Sequence, residues 1–192
     1  MTDSARVFVQ LNAYADVAAA RADQEAVKDL HSSDNMGRFE TTVISRDDQG
    51  QVHVVEGEQT AHRWASRGLV VGAVVGVMFP PSILLAAGAG AVTGAVGAMH
   101  NGLLVRPIPD ADLKMLGSLI NPGEAALVVV GEDSVRHAIE LAGLKPLRTS
   151  VKTGQRTYAD LEHDVFEYFW AQEKTGPSEA ASNDPTNEEK IP

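Results

Sequence analysis

Cysteine is absent from the 192 residues. That removes disulfides, thiolate nucleophiles and cysteine metal sites together, and it suits a reducing cytoplasm. Basic clusters are missing as well. With 16 Lys and Arg against 26 Asp and Glu, a net charge of -10 and a pI near 5.0, the chain lacks the basic face that neutralises phosphates, so no nucleic-acid partner is expected. The opening MTDSARVFVQLNAYAD has acids early and no long apolar run, so it does not read as a secretory signal. The amino terminus is expected to stay in the cytoplasm.

Motifs for catalysis are equally scarce. The histidines His31, His53, His62, His100, His137 and His163 are scattered, with no HxxxH or HExxH pair to chelate a metal. GAGAVTG has the spacing GxGxxxG, no strand before it and no lysine after it, so it fails as a dinucleotide or phosphate loop. Asp47 and Asp48 sit in a turn where Asp is favoured for turn geometry alone. A carboxylate neighbour could raise the pKa of His163, between Glu162 and Asp164, but solvated helix polarity explains it as well. No Ser/His/Asp set can be assigned. The expectation is a non-enzyme without catalytic, metal or motif-bound cofactor residues.

What the chain does have is one long apolar stretch, residues 67 to 106, with eight glycines and no formally charged side chain between its terminal arginines. Pro80 and Pro81 divide it, because adjacent prolines remove two backbone donors and turn the preceding residue from helix. A helical hairpin is expected. Gly68, Gly72 and Gly76 recur every fourth residue in the first arm, and Ala86, Gly90, Gly94, Ala98 and Gly102 do so in the second. Residues four apart share a helix face, so each arm carries a groove of small residues suited to close packing between helices or subunits. The opposite faces, Leu69, Val70, Val74 and Val77 in one arm and Ile83, Leu85, Val92, Val96 and Met99 in the other, are expected to meet lipid or line a lumen.

Length restricts the topology. A full span needs about 20 apolar residues; Gly68 to Phe79 offers about 18 Å of helix at 1.5 Å per residue, while Ser82 to Asn101 is long enough. A partly inserted or oligomer-buried hairpin therefore fits better than two spanning helices. Arg63, Arg67 and Arg106 lie at its open end, as expected for the cytoplasmic side. A segment apolar all round can equally be the internal core of a soluble binding or stress-related domain.

Around this insertion the pattern is α+β. RVFVQL reads as a strand, the run from Asp16 to about Leu30 as a helix, and RFETTVIS and QVHVVEG as a hairpin across RDDQG. Beyond it come a short helix capped by Asp110, the central strand AALVVV, the helix EDSVRHAIELAGL and a last strand KPLRTSVK. Two such halves, 1–60 and 107–153, flanking a hairpin at 61–106, predict a ferredoxin-like sandwich. An aromatic helix at 154–174 and a disordered acidic tail at 175–192 complete the division. Five of the chain's ten aromatic residues fall between Tyr158 and Trp170. Tyr158, Leu161, Val165, Phe166, Phe169 and Trp170 are the expected partner-docking anchors, with clamping of the helix onto its own sheet as the alternative.

The order of these pieces resembles the DUF1269 family of glycine-zipper membrane proteins. Three features carry the resemblance over about residues 40 to 150: the hairpin ending VHVVEGEQTAH, the I-P-D-x5-L-G helix from Ile108 to Gly117, and P-G-x-x-A-L-V-V-V from Pro122 to Val130. The double proline departs slightly from the family's usual single turn residue. Within the family the chain is similar to the membrane-associated stalk subunits of mycobacterial high-affinity uptake hydrogenases. That similarity implies a homo-oligomeric scaffold at the cytoplasmic face of the cell membrane. It further implies contact with membrane lipid, hydrogenase subunits docked on the C-terminal helix, and a transient quinone in a hydrophobic path.

Overall fold

The computed structural model describes residues 6–30, 37–55, 69–79, 84–85 and 108–174. In chain order the elements are β1 (Arg6–Tyr14), α1 (Val17–Asp29), β2 (Phe39–Arg46), β3 (Val52–Val54), α2 (Leu69–Met78), β4 (Leu84–Leu85), α3 (Asp110–Gly117), β5 (Ala125–Glu132), α4 (Asp133–Leu141), β6 (Arg148–Thr157) and α5 (Tyr158–Lys174). The strands form one sheet in the order β4-β3-β2-β5-β1-β6. Every pairing is antiparallel except that of β4 with β3.

Composition explains why β5 and β1 are interior strands. AALVVV has no polar face to give to water, and from Ala125 to Gly131 β5 is buried on both sides. β1 is covered on both sides too, from Val7 to Tyr14. Its alternation therefore sorts residues between two cores. Val7, Val9, Leu11 and Ala13 join one hydrophobic cluster, and Phe8 and Tyr14 join the other. Gln10 and Asn12 share the face of Phe8, buried as well; the Gln10 amide Nε2 donates to Asn12 Oδ1 at 3.0 Å, and the Thr149 hydroxyl donates to the same oxygen at 2.8 Å. Hydrogen bonding within the layer offsets part of the cost of burying these amides.

The helices divide between the two faces. α1, through Ala20 and Val27, and α4, through Val135 and Ile139, pack with Phe8, Phe39, Leu127 and Val129 on one side. α2, α3 and α5 pack on the other, against Val7, Leu11, Ile44, Val128 and Val130. The result is three layers around a mixed α+β core.

Several starts and stops follow local chemistry. Asp16 caps α1 by accepting the Ala19 N–H at 2.8 Å. Gly50, at φ 81°, closes the β2–β3 turn, where Asp47 Oδ1 accepts the N–H groups of Gln49 and Gln51. His53 Nε2 lies 2.9 Å from Asp47 Oδ2, and this contact first, then the two backbone donors, holds the Asp47 carboxyl below its usual range.

Three boundaries differ from the sequence reading. The α3 cap position falls at Pro109, with no side-chain cap, because the Pro109 carbonyl already takes the N–H groups of Asp112 and Leu113. The last strand begins at Arg148 and runs through Thr157 directly into α5. The second arm was expected to be helical from Ser82, but Leu84 and Leu85 pair in parallel with Val52 and His53. Three residues after a double proline, the chain meets the free edge of β3, and a bridge there satisfies backbone groups without a helical nucleus.

Candidate functional site

β2 presents one carboxylate where its neighbours are apolar. Glu40 stands opposite Val130 and two residues from Thr42 and four from Ile44, so it points to the face covered by α2, α3 and α5. It is half-buried there, and two elements reach it. The Val71 N–H, in the first turn of α2, donates to Glu40 Oε2 at 3.0 Å, and the Tyr158 hydroxyl, at the start of α5, donates to Oε1 at 3.0 Å. An acid at a helix N-terminus satisfies one of its orphan donors and complements the helix dipole.

Arg38 closes the outer side. Its guanidinium lies 5.3 Å from the centre of the Tyr158 ring, donates through Nε to Glu132 at 3.1 Å and through Nη1 to Glu162 at 2.5 Å. Burial is the main force on Glu40 and pushes its carboxyl up to about 7, against the lowering effect of the Val71 and Tyr158 donors; the nearby Glu162 charge adds to the rise. Tyr158 is driven upward too, first by burial and then by the Glu40 carboxylate, so its hydroxyl stays a donor. The cluster can hold a proton near neutrality and tie three elements together. It offers no nucleophile paired with a base, and among the described residues no group of three or more His, Asp or Glu is placed to hold a metal ion.

Sequence reasoning missed Glu40. Its signal was present in the strand period, because RFETTVIS puts Glu40 in line with Thr42 and Ile44 on a core face.

The expected interface residues scatter. Val70 and Val74, assigned to lipid or a lumen, are buried at 1% and 5% in the chain's own core, and Val77 is partly buried against it. The reason is the helix's apolarity on most of its circumference: Val71, Ala73, Val75 and Met78 are buried too, and among its described residues only Gly72 and Val77 are partly open. Four buried valines at roughly 1.5 kcal/mol or more each outweigh about 2 kcal/mol for two helical glycines, so packing within the domain suffices to repay Gly72 and Gly76. No described atom lies within 4 Å of a Cβ built on Gly72. Close backbone approach occurs instead at Gly117 in α3, where an added Cβ would sit 2.9 Å from the Met78 carbonyl and 3.1 Å from the Phe79 ring.

Tyr158 and Leu161, expected to dock a partner, are buried at 2% and 3% and clamp α5 to its own sheet, whereas Phe166 is 51% exposed. Gly68, Ile83, Ala86, Gly90, Val92, Gly94, Val96, Ala98 and Met99 lie outside the described residues, as do the side chains of Leu69, Leu85, Val165, Phe169 and Trp170 and the tail at 175–192. Among the described residues no helix is long and apolar enough to cross a membrane.

No curated protein and no solved structure gave a match. A family model described as a protein of unknown function, DUF1269, matches residues 65–161. That stretch takes in the elements from α2 to the first turn of α5, including the buried α2, the close contact at Gly117 and the Tyr158 that grips Glu40. Spanning just over half of the 192 residues, the match places this chain in the DUF1269 family.

Proposed function

We propose that the chain is a non-catalytic binding module of ferredoxin-like type, in which the first arm of the apolar insertion serves as internal core and the outer half of α5 docks a partner protein. The observation that carries this reading is the burial of Val70, Val71, Ala73, Val74, Val75 and Met78 of α2 in one cluster with the sheet. The strand order β6-β1-β5-β2, with crossover helices α1 and α4 on one face, supports the ferredoxin-like type. The change along α5 from buried Tyr158 and Leu161 to exposed Phe166 supports docking by its distal half. Phe166→Ala and Trp170→Ala should each reduce partner recovery on affinity purification from the native cell at unchanged melting temperature. Undiminished recovery with both would leave α5 as a clamp alone.

A second reading rests on Ser82 to Asn101, 20 residues without a formally charged side chain. They are enough for an apolar anchor. On this reading the protein is a membrane-associated homo-oligomeric scaffold for a complex of the uptake-hydrogenase kind, with a path for a quinone-like molecule. Carbonate-washed membranes separate the two. Complete recovery in the supernatant is expected for the binding module, and retention in the washed pellet for the scaffold.

A further inference from the structure

Among the described residues, Glu40 joins the sheet, the start of α2 and the start of α5 through hydrogen bonds to both helices. Its placement is costly, because a carboxylate on the core face exchanges water for a few fixed donors, the Val71 and Val70 N–H groups and the Tyr158 hydroxyl. A helix N-terminus could be capped at lower cost by an exposed Ser or Asp. We propose that Glu40 is a proton-operated latch, whose carboxyl holds the apolar helix α2 and the helix α5 against the sheet and releases their first turns when it ionises.

The surroundings set the direction. On α5 the groups facing Glu40 are the Tyr158 hydroxyl and the Glu162 carboxylate; beside β2 there is Arg38, held between Glu162 and Glu132, the latter at the end of β5. α2 contributes backbone N–H groups and no titratable side chain. Arg38 is engaged by two acids and by the Tyr158 ring, so it does not act as a dedicated counter-ion. The ionised form of Glu40 is thus opposed first by burial and also by Glu162, and is stabilised by hydrogen bonds from the Val71 N–H, the Tyr158 hydroxyl and the Val70 N–H; the balance places its pKa at about 7 when closed against 4.5 when free. A group with a raised pKa in the closed state favours closure fully below its free pKa, and that contribution is lost as pH rises through the closed value. The latch is therefore closed in mild acid and loosens toward neutrality. Loosening lets water reach the carboxylate and uncovers the first turn of an otherwise apolar helix.

The inference rests on α2 belonging to the core, as in the proposed binding module, and its test separates the two. In the full chain, amide hydrogen exchange of peptides covering 69–79 and 158–166 is followed from pH 5 to pH 8, corrected for intrinsic rates. The 13C shift of the Glu40 carboxyl is followed over the same range. The opening equilibrium of both segments should rise by roughly tenfold per pH unit up to about pH 7 and level off above it, while β5 lacks that local rise. Glu40→Gln, which keeps an acceptor for Val71 and cannot ionise, should flatten the profile. Tyr158→Phe removes a donor that favours the ionised form and should move the plateau to higher pH. A carboxyl titrating in the ordinary range, a flat wild-type profile with α2 protected, or an undiminished slope in Glu40→Gln would each overturn the latch alone. An α2 unprotected at every pH would overturn the core placement and the latch together.

Discussion

Val74→Asp is expected to unfold the full chain in detergent-free buffer, or to leave a state with lost near-ultraviolet circular dichroism and no cooperative melt. Val74 is 5% exposed among Val70, Val71, Val75, Met78 and the sheet residues that share their cluster. An aspartate there either buries an unpaired charge or is forced neutral, and both cost several kcal/mol, on the order of the whole stability of a domain of this size. The result also discriminates between readings of the apolar insertion. If Val74 faced a lumen or lipid, as its place opposite the glycine row suggested, the α/β domain would keep its melting temperature while assembly or membrane recovery changed. A melting temperature within about 2 °C of wild type would rule out α2 as core. Val74→Ile, apolar and only one methylene larger, should keep the fold at a cost of about 1–3 kcal/mol.

Much of the α+β scaffold was legible because its signals are local. AALVVV announces a doubly covered strand, Asp16 a helix start, and RDDQG a tight reversal between two β-branched runs, and all three hold in the structure. The candidate site was not legible, for the opposite reason. Glu40 matters through Val71 and Tyr158, which are 31 and 118 residues away along the chain. Periodicity could place it on the core face of β2 but could not say which helices cover that face. The same limit governs α2. An amphipathic helix names its buried side, whereas LVVGAVVGVM is apolar in every direction and is compatible with lipid, a subunit contact or a core. What the periodicity could not show is the sheet's second face, apolar at Val7, Val9, Leu11, Val128 and Val130, which supplies a surface for it to cover.

The glycines supply the sharpest remaining contrast, between Gly72, singled out by its four-residue row, and Gly117, part of the I-P-D-x5-L-G stretch but not of any packing row. Gly117→Ala is expected to lower stability by about 1–3 kcal/mol, since its Cβ would lie 2.9 Å from the Met78 carbonyl, a backbone atom with little freedom to give way, and 3.1 Å from the Phe79 ring. The strain falls where α2 ends against α3, so Phe79→Leu should relieve only the part due to the ring. Gly72→Ala should do the reverse. With no described atom within 4 Å of its Cβ, alanine gains helix propensity and restricts the unfolded chain, raising stability by up to about 1 kcal/mol. Chemical denaturation of the two variants beside wild type measures both shifts. A destabilised Gly72→Ala that also loses oligomeric mass would mean that the small-residue row is a contact surface after all, and a neutral Gly117→Ala would mean that α2 and α3 do not approach through that glycine. The two signs together locate the close helix contact: at the α2–α3 junction inside one domain, or along the glycine row between arms or chains.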